Sequence, residues 1–217
     1  MKYIFGLGNP GTQHDGTRHT IGFAVIDALV SRWLDHESFT LFGAEKKKTY
    51  EAWEFRYHSL SCADAERIYC IKPLTFMNRS GEIVGDWVKY APSDFGIQTD
   101  LWIIHDELDL PLGSIKIGMG SSSAGHNGVQ SIIDALDSNA WTRFRVGIYP
   151  LRAPSEPIAD FVLKRFTPSE RILVETSLAR TRDAVEYTLS YGIAKAQTNY
   201  NAKQNASNPS LSANGAS

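Results

Sequence analysis

Two cysteines, Cys62 and Cys70, are all that the 217 residues contain, and no motif surrounds either. This excludes a disulfide-built scaffold and a cysteine-based zinc site, fits a reducing compartment, and assigns both thiols to packing. Charge of one sign is also lacking. Lys and Arg total 22 against 24 Asp and Glu, a net charge of −2, so any site for a polyanion must be a local patch. No apolar run approaches the roughly eighteen residues of a membrane span, and the first apolar strand follows Met1-Lys2 directly, with no signal or transit peptide. The expected location is the cytoplasm, with no membrane partner. Internal repeats are absent too. What the chain does have is ordinary: 42% hydrophobic and 21% charged residues, at a length that suits one domain with a sizeable core.

The pattern along the chain alternates strands and helices. Tyr3 to Leu7 is a short apolar run closed by Gly8-Asn9-Pro10-Gly11, a buried strand entering a long loop that reaches Arg18 or His19. Ile21, Val25 and Leu29 then give one apolar face to a helix from Thr20 to about Trp33. Trp53, Phe55 and Tyr57 alternate as a half-exposed strand, and Ile68 to Ile71 reads as a buried one. A helix is predicted over Ser80–Tyr90, a strand from Leu101 to Ile104 ending at His105-Asp106, and another at Ile115 and Ile117. A loop over 118–125, a helix from Val129 to Leu136 and a strand at Phe144, Val146 and Ile148 follow. Thr167-Pro168-Ser169-Glu170 is a capping box for a helix expected to run to about Ala196. The fold class is α/β: a single domain with a twisted, mixed, largely parallel sheet flanked by helices. It spans residues 1–196, and residues 197–217, rich in Asn, Ser, Gln and Ala, form a polar tail expected to be disordered.

Two familiar readings fail on context. GLGNPG at 6–11 matches a dinucleotide-binding glycine pattern, but Pro10 and the polar residues 12–18 separate the glycines from the first helix, and no acidic residue stands where the ribose would need one. GSSSAG at 120–125 misses the nucleophile-elbow spacing of serine hydrolases. What remains is a set of polar groups where strands end, the rim at which α/β sheets bind ligands. Asn9, Asn78, Asp106 and Asn127 converge there, joined by His19 at the junction of the first loop and helix. A histidine within reach of a carboxylate has the makings of a base and its orienting partner. Taken singly, each is more ordinary: a turn Asn, a helix cap, a surface acid, a structural histidine.

Taken in order, GLGNPG, Thr17-Arg18-His19, Thr75-Phe76-Met77-Asn78-Arg79-Ser80-Gly81, His105-Asp106-Glu107-Leu108-Asp109-Leu110-Pro111 and Gly125-His126-Asn127-Gly128 resemble bacterial-type peptidyl-tRNA hydrolases over roughly residues 3–195. The resemblance implies an enzyme, usually monomeric and without metal or other cofactor, that hydrolyses the ester between a peptide and the 3′ ribose of tRNA and so recycles tRNA from aborted translation. It places the base on His19, its partner on Asp106, and substrate-holding groups on Asn9, Asn78, Asn127, Met77, Phe76 and His126. The chain departs from the family in places. Thr20 stands where Asn is usual, His14 where Tyr is common, and 119–125 is poorer in glycine. Gly118 falls where relatives carry a basic residue for the tRNA 5′ phosphate; Lys116 stands in for it, with Arg145 as the second basic position. Lys46-Lys47-Lys48 reads as a solvated charge run. Two other functions fit the sequence less well: a non-catalytic RNA-binding relative, for which the chain shows no extra apolar patch, and a metal hydrolase built on Asp106, Glu107 and Asp109, which lacks a second ligand cluster.

Overall fold

A computed structural model describes residues 1–59, 65–150 and 156–201. Seven strands form one sheet: β1 (Lys2–Gly6), β2 (Phe39–Lys46), β3 (Tyr50–Tyr57), β4 (Glu66–Pro73), β5 (Leu101–Pro111), β6 (Ile115–Met119) and β7 (Thr142–Tyr149), in the order β2-β3-β4-β1-β5-β7-β6. The centre is parallel, β4-β1-β5-β7, with the antiparallel β2–β3 hairpin on one edge and β6 antiparallel to β7 on the other. The α/β class and the mixed, largely parallel sheet therefore stand as expected. Neighbouring residues of the buried strands serve opposite faces, as the two-residue strand period requires. Ile4 and Ile104 meet helix α1 (Ile21–Leu34) through Ile21, Val25 and Leu29. Phe5 and Ile103 join a second core with helices α2 (Ser80–Lys89) and α4 (Asn127–Leu136). Two short helices, α3 (Ile97–Asp100) and α5 (Ile158–Val162), complete these layers.

Several boundaries differ from the expectation, each for a local reason. Strand β5 does not end at Asp106 but continues to Pro111, because β7 keeps pairing with it through Glu107 and again at Pro111. Asp106 is thus held inside a strand and not on a mobile end. Strand β2 escaped prediction because only Phe39 of it is buried, so it carries no alternation; pairing with β3 defines it. The last helix is two. The capping box forms, with the Glu170 carboxylate accepting the Thr167 N–H at 2.7 Å, and α6 (Arg171–Tyr191) follows. Gly192, at φ 84°, breaks it, and α7 (Ile193–Tyr200) begins. Cys70 is buried, and burial pushes its thiol far above the ordinary range; Cys62 lies outside the described residues.

The boundary drawn at 196/197 moves as well. Residues 197–201 are ordered: Tyr200 packs on Tyr187 and on the Arg180 guanidinium, and the Asn201 amide accepts the Ile117 N–H and donates to its carbonyl, both at 2.7 Å. A side chain here completes the outer edge of β6, which no further strand among the described residues covers. Composition concealed this, since one Tyr and one Asn in a polar stretch carry no period. Residues 202–217 lie outside the described residues. Ending the chain after Ala196 removes these contacts, two hydrogen bonds of about 1 kcal/mol each plus the Tyr200 packing, and should lower Tm by about 5 °C or more. Ending it after Asn201 should leave Tm at the full-length value. Thermal melts of the two truncations decide the point; equal Tm values would show that the Asn201 contact adds nothing.

Candidate active site

His19 sits in a single 3₁₀ turn, Arg18–Thr20, that runs directly into α1. The Thr17 and Thr20 hydroxyls both donate to the His14 carbonyl, at 2.8 and 2.9 Å, so Thr20 staples the loop it ends. Close backbone approach brings this turn onto the sheet. A Cβ on Gly22 would run into the Leu7 and Ile104 carbonyl oxygens, and the lack of one lets the first turn of α1 lie directly over β1 and β5. Asp106 projects from β5 toward that turn, and both side chains are almost fully withdrawn from solvent, 9% exposed for His19 and 3% for Asp106.

His19 Nδ1 lies 2.9 and 3.0 Å from the two carboxylate oxygens of Asp106. His126 Nε2 approaches the same carboxylate, 2.9 Å from Oδ1. His126 also caps α4: its Nδ1 accepts the Gly128 and Val129 N–H groups at 3.1 and 3.2 Å. That settles its tautomer, because a nitrogen accepting two N–H bonds is unprotonated, so Nε2 carries the proton and donates it to Asp106. Asp106, in turn, is an acceptor for both rings. His19 donates Nδ1–H to it and keeps the Nε2 lone pair free of the pair. Burial alone would raise the Asp106 carboxyl, but the two histidines outweigh it and hold the group well below the usual carboxylate range. It is therefore an anion around neutral pH.

A third histidine lies beneath. His105 is fully buried, its Nδ1 donates to the Asp106 backbone carbonyl at 2.7 Å, and its ring meets that of His126 edge-on at 4.8 Å. Burial, reinforced by His126, drives its protonation well below the ordinary histidine range, so it is neutral packing. Among the described residues, His19, Asp106 and His126 are the one grouping with metal-ligand donors close together. The donor set does not suit an ion, because His126 Nε2 bears a proton while its Nδ1 is occupied by the helix cap; ligation would uncap α4. The Asp106, Glu107 and Asp109 set does not converge either. Glu107 points to the opposite face of β5 from Asp106, where it pairs with Arg145 at 2.7 Å and accepts the Asp109 N–H.

The other expected site residues divide into two groups. Asn9 is buried, and its Oδ1 accepts the Met77 N–H at 2.8 Å, which turns its amide NH₂ the other way. Met77 is buried against the first turn of α4, where a Cβ on Gly128 would strike its sulfur. Asn78 is exposed in the 3₁₀ turn Met77–Arg79, Phe76 stands out beside it at 59% exposure, and Asn127 is the exposed first residue of α4. Both ring nitrogens of His126 are committed within the protein, which leaves any contact with substrate to its carbon edge. Lys116 and Arg145 are direct cross-strand partners on β6 and β7, and His105 pairs with Arg145 across β5 and β7. Lys116 is exposed, and Arg145 is tied to Glu107. Sequence reasoning missed that ion pair and the two-histidine grip on Asp106. A histidine is an unusual helix cap, and only its place just before the Asn127 helix start hinted at the second.

A histidine held by a buried carboxylate at the rim of a parallel-centred α/β sheet is an arrangement suited to hydrolysis by an activated water. The family model for peptidyl-tRNA hydrolase matches residues 3–208. Similar proteins include peptidyl-tRNA hydrolases of Akkermansia muciniphila, 37% identical over 93% of this chain and 96% of that one, and of Geobacillus kaustophilus, 36% identical over 93% and 100%. The crystal structure of peptidyl-tRNA hydrolase from Acinetobacter baumannii matches with a TM-score of 0.72 at 25% identity, covering 93% of this chain and 95% of that one. The chain belongs to the peptidyl-tRNA hydrolase family.

The two jobs of His126 are separable. Asparagine caps helices well but is too short to reach Asp106, so His126→Asn should keep the cap yet strip one donor from the buried carboxylate, lowering Tm by about 3 to 10 °C and the hydrolytic rate by about 10-fold; His126→Ala should add a cap loss of about 1 kcal/mol. Melting curves and turnover for the pair check this. Full activity in His126→Asn would show that Asp106 needs no second donor.

Proposed function

We propose that this chain hydrolyses the ester between peptide and tRNA with His19 as the general base. The observation that carries the reading is the pair itself: Nδ1 of His19 is engaged by both oxygens of Asp106, which leaves Nε2 as the lone pair for a water proton. Water attacks the ester carbonyl carbon while His19 Nε2 takes its proton, and the Asp106 anion stabilises the imidazolium that forms. The tetrahedral intermediate then expels the 3′ oxygen of the ribose, to which His19 returns the proton. The products are a free peptide carboxylate and tRNA with its 3′ hydroxyl restored.

The developing oxyanion and the peptide amides need neutral donors and acceptors, which Asn9, Asn78 and Asn127 supply without offering a competing nucleophile. Asn9 is the best prepared, since the Met77 N–H fixes its amide orientation. Phe76 offers an exposed aromatic face for the terminal adenosine with Met77 below it. Lys116 and Arg145 are the proposed contacts to tRNA phosphate, adjacent across two strands. Among the described residues no helix is long and apolar enough to cross a membrane, and the chain is proposed to act as a cytoplasmic monomer. The purified protein should release peptide from N-blocked aminoacyl-tRNA and spare free aminoacyl-tRNA. His19→Ala should lower that rate by about 10²- to 10⁴-fold with tRNA affinity retained. Retention of most activity would place the base elsewhere.

A further inference from the structure

The residue next to the base is a buried arginine held by several partners. Arg18 is 4% exposed. Its guanidinium lies between two aromatic rings, 4.3 Å from the Phe161 centroid and 4.9 Å from that of Phe166. One amino group donates to the Lys164 and Arg165 carbonyls at 3.2 and 2.8 Å; the other meets both oxygens of Glu170 at 2.8 and 2.7 Å. The backbone joins in, with Arg18 N–H donating to the Lys164 carbonyl and Thr17 bridging Arg165 as in an antiparallel strand pair. Glu170 is itself fixed by the Thr167 N–H and hydroxyl, at 2.7 and 2.8 Å, at the start of α6. Burying an ion pair this completely seldom adds net stability, so its presence asks for another reason.

The geometry points to Arg18, through Glu170, as a positioning residue for the catalytic base. In a 3₁₀ turn successive side chains stand about 120° apart, so Arg18, His19 and Thr20 are three spokes of one hub. The Thr20 spoke is tied to the His14 carbonyl and the Arg18 spoke to residues 164–170. With two spokes locked the turn cannot rotate about its axis, and the third, His19, is aimed at Asp106. Neither this turn nor α1 has a side-chain N-cap to do that work. Lysine cannot replace the device, since a single ammonium cannot hold the Lys164 and Arg165 carbonyls with one amino group and the Glu170 carboxylate with another at the same time. The inference rests on His19 as the base and extends it: the α5–α6 connection holds the base in register although none of its residues joins the reaction.

The test compares Arg18→Lys, Glu170→Gln and His19→Ala at a temperature at which near-ultraviolet circular dichroism shows each to be folded. Turnover of N-blocked aminoacyl-tRNA is measured together with the proton spectrum of the exchange-protected imidazole N–H groups. Arg18→Lys and Glu170→Gln should lower kcat by about 10- to 100-fold with KM within about twofold, the scale of a misplaced catalytic group. They should also broaden the one N–H resonance that His19→Ala abolishes, while that of His126 stays sharp. Glu170→Gln is isosteric and still accepts the Thr167 N–H, so it reads the same effect if Arg18→Lys fails to fold. A lowered Tm with kcat and the His19 resonance unchanged would overturn positioning in favour of plain structure, and a raised KM with kcat intact would overturn it in favour of substrate binding. Activity persisting in His19→Ala would instead remove the base assignment beneath it, whatever the Arg18 variants do.

Discussion

One buried carboxylate organises this molecule's working end. Asp106 is 3% exposed and projects from a central strand, a position in which an unpaired charge would cost several kcal/mol. The N–H groups of His19 and His126 make it tolerable, and each demands structure of its own. His126 must cap α4 with Nδ1 so that Nε2 is the protonated nitrogen. His19 must arrive on a turn pressed against the sheet, which Gly22 permits. Because the carboxyl is held far below its ordinary range, the pairing supports the fold above about pH 4 and is lost only as pH falls through that depressed value. The anion is therefore constant around neutral pH.

Beside this centre the sheet carries a second polar row on its other face. Lys116, Arg145 and His105 succeed one another across β6, β7 and β5, with Glu107 neutralising Arg145. Exposed Lys116 at one end and buried, neutral His105 at the other make a gradient from solvent to core. The row meets the centre where His105 touches the ring of His126.

Much of this was readable in the sequence where a residue's neighbours in the chain set its environment. The apolar runs at Tyr3 and Ile68 and the helical spacing of Ile21, Val25 and Leu29 report burial directly, because each face of those elements meets one core. The pairing of His19 with Asp106 was legible through the order of motifs, although 87 residues separate them. Of the features that were not, three share one cause. Strand β2 is defined by its partner and not by its own pattern; Asn201 completes a sheet edge with a side chain; and Arg18 is buried only because Phe161, Phe166 and Glu170 close over it from 143 or more positions away. Each depends on a long-range contact that leaves no local period.

The most direct measurement is the pH–rate profile of Asp106→Asn. The helix cap obliges His126 to donate from Nε2, so the new amide must turn its oxygen to His126 and its NH₂ toward His19 Nδ1. The NH₂ then favours the His19 tautomer with its proton on Nε2 and its lone pair turned inward, away from water. The rate should fall by about 10²- to 10³-fold, and the acidic limb should move to lower pH as the imidazolium loses its neighbouring anion. A rate near that of the unaltered protein with the limb in place would contradict the account, since His19 and Asp106 would then not act as a pair.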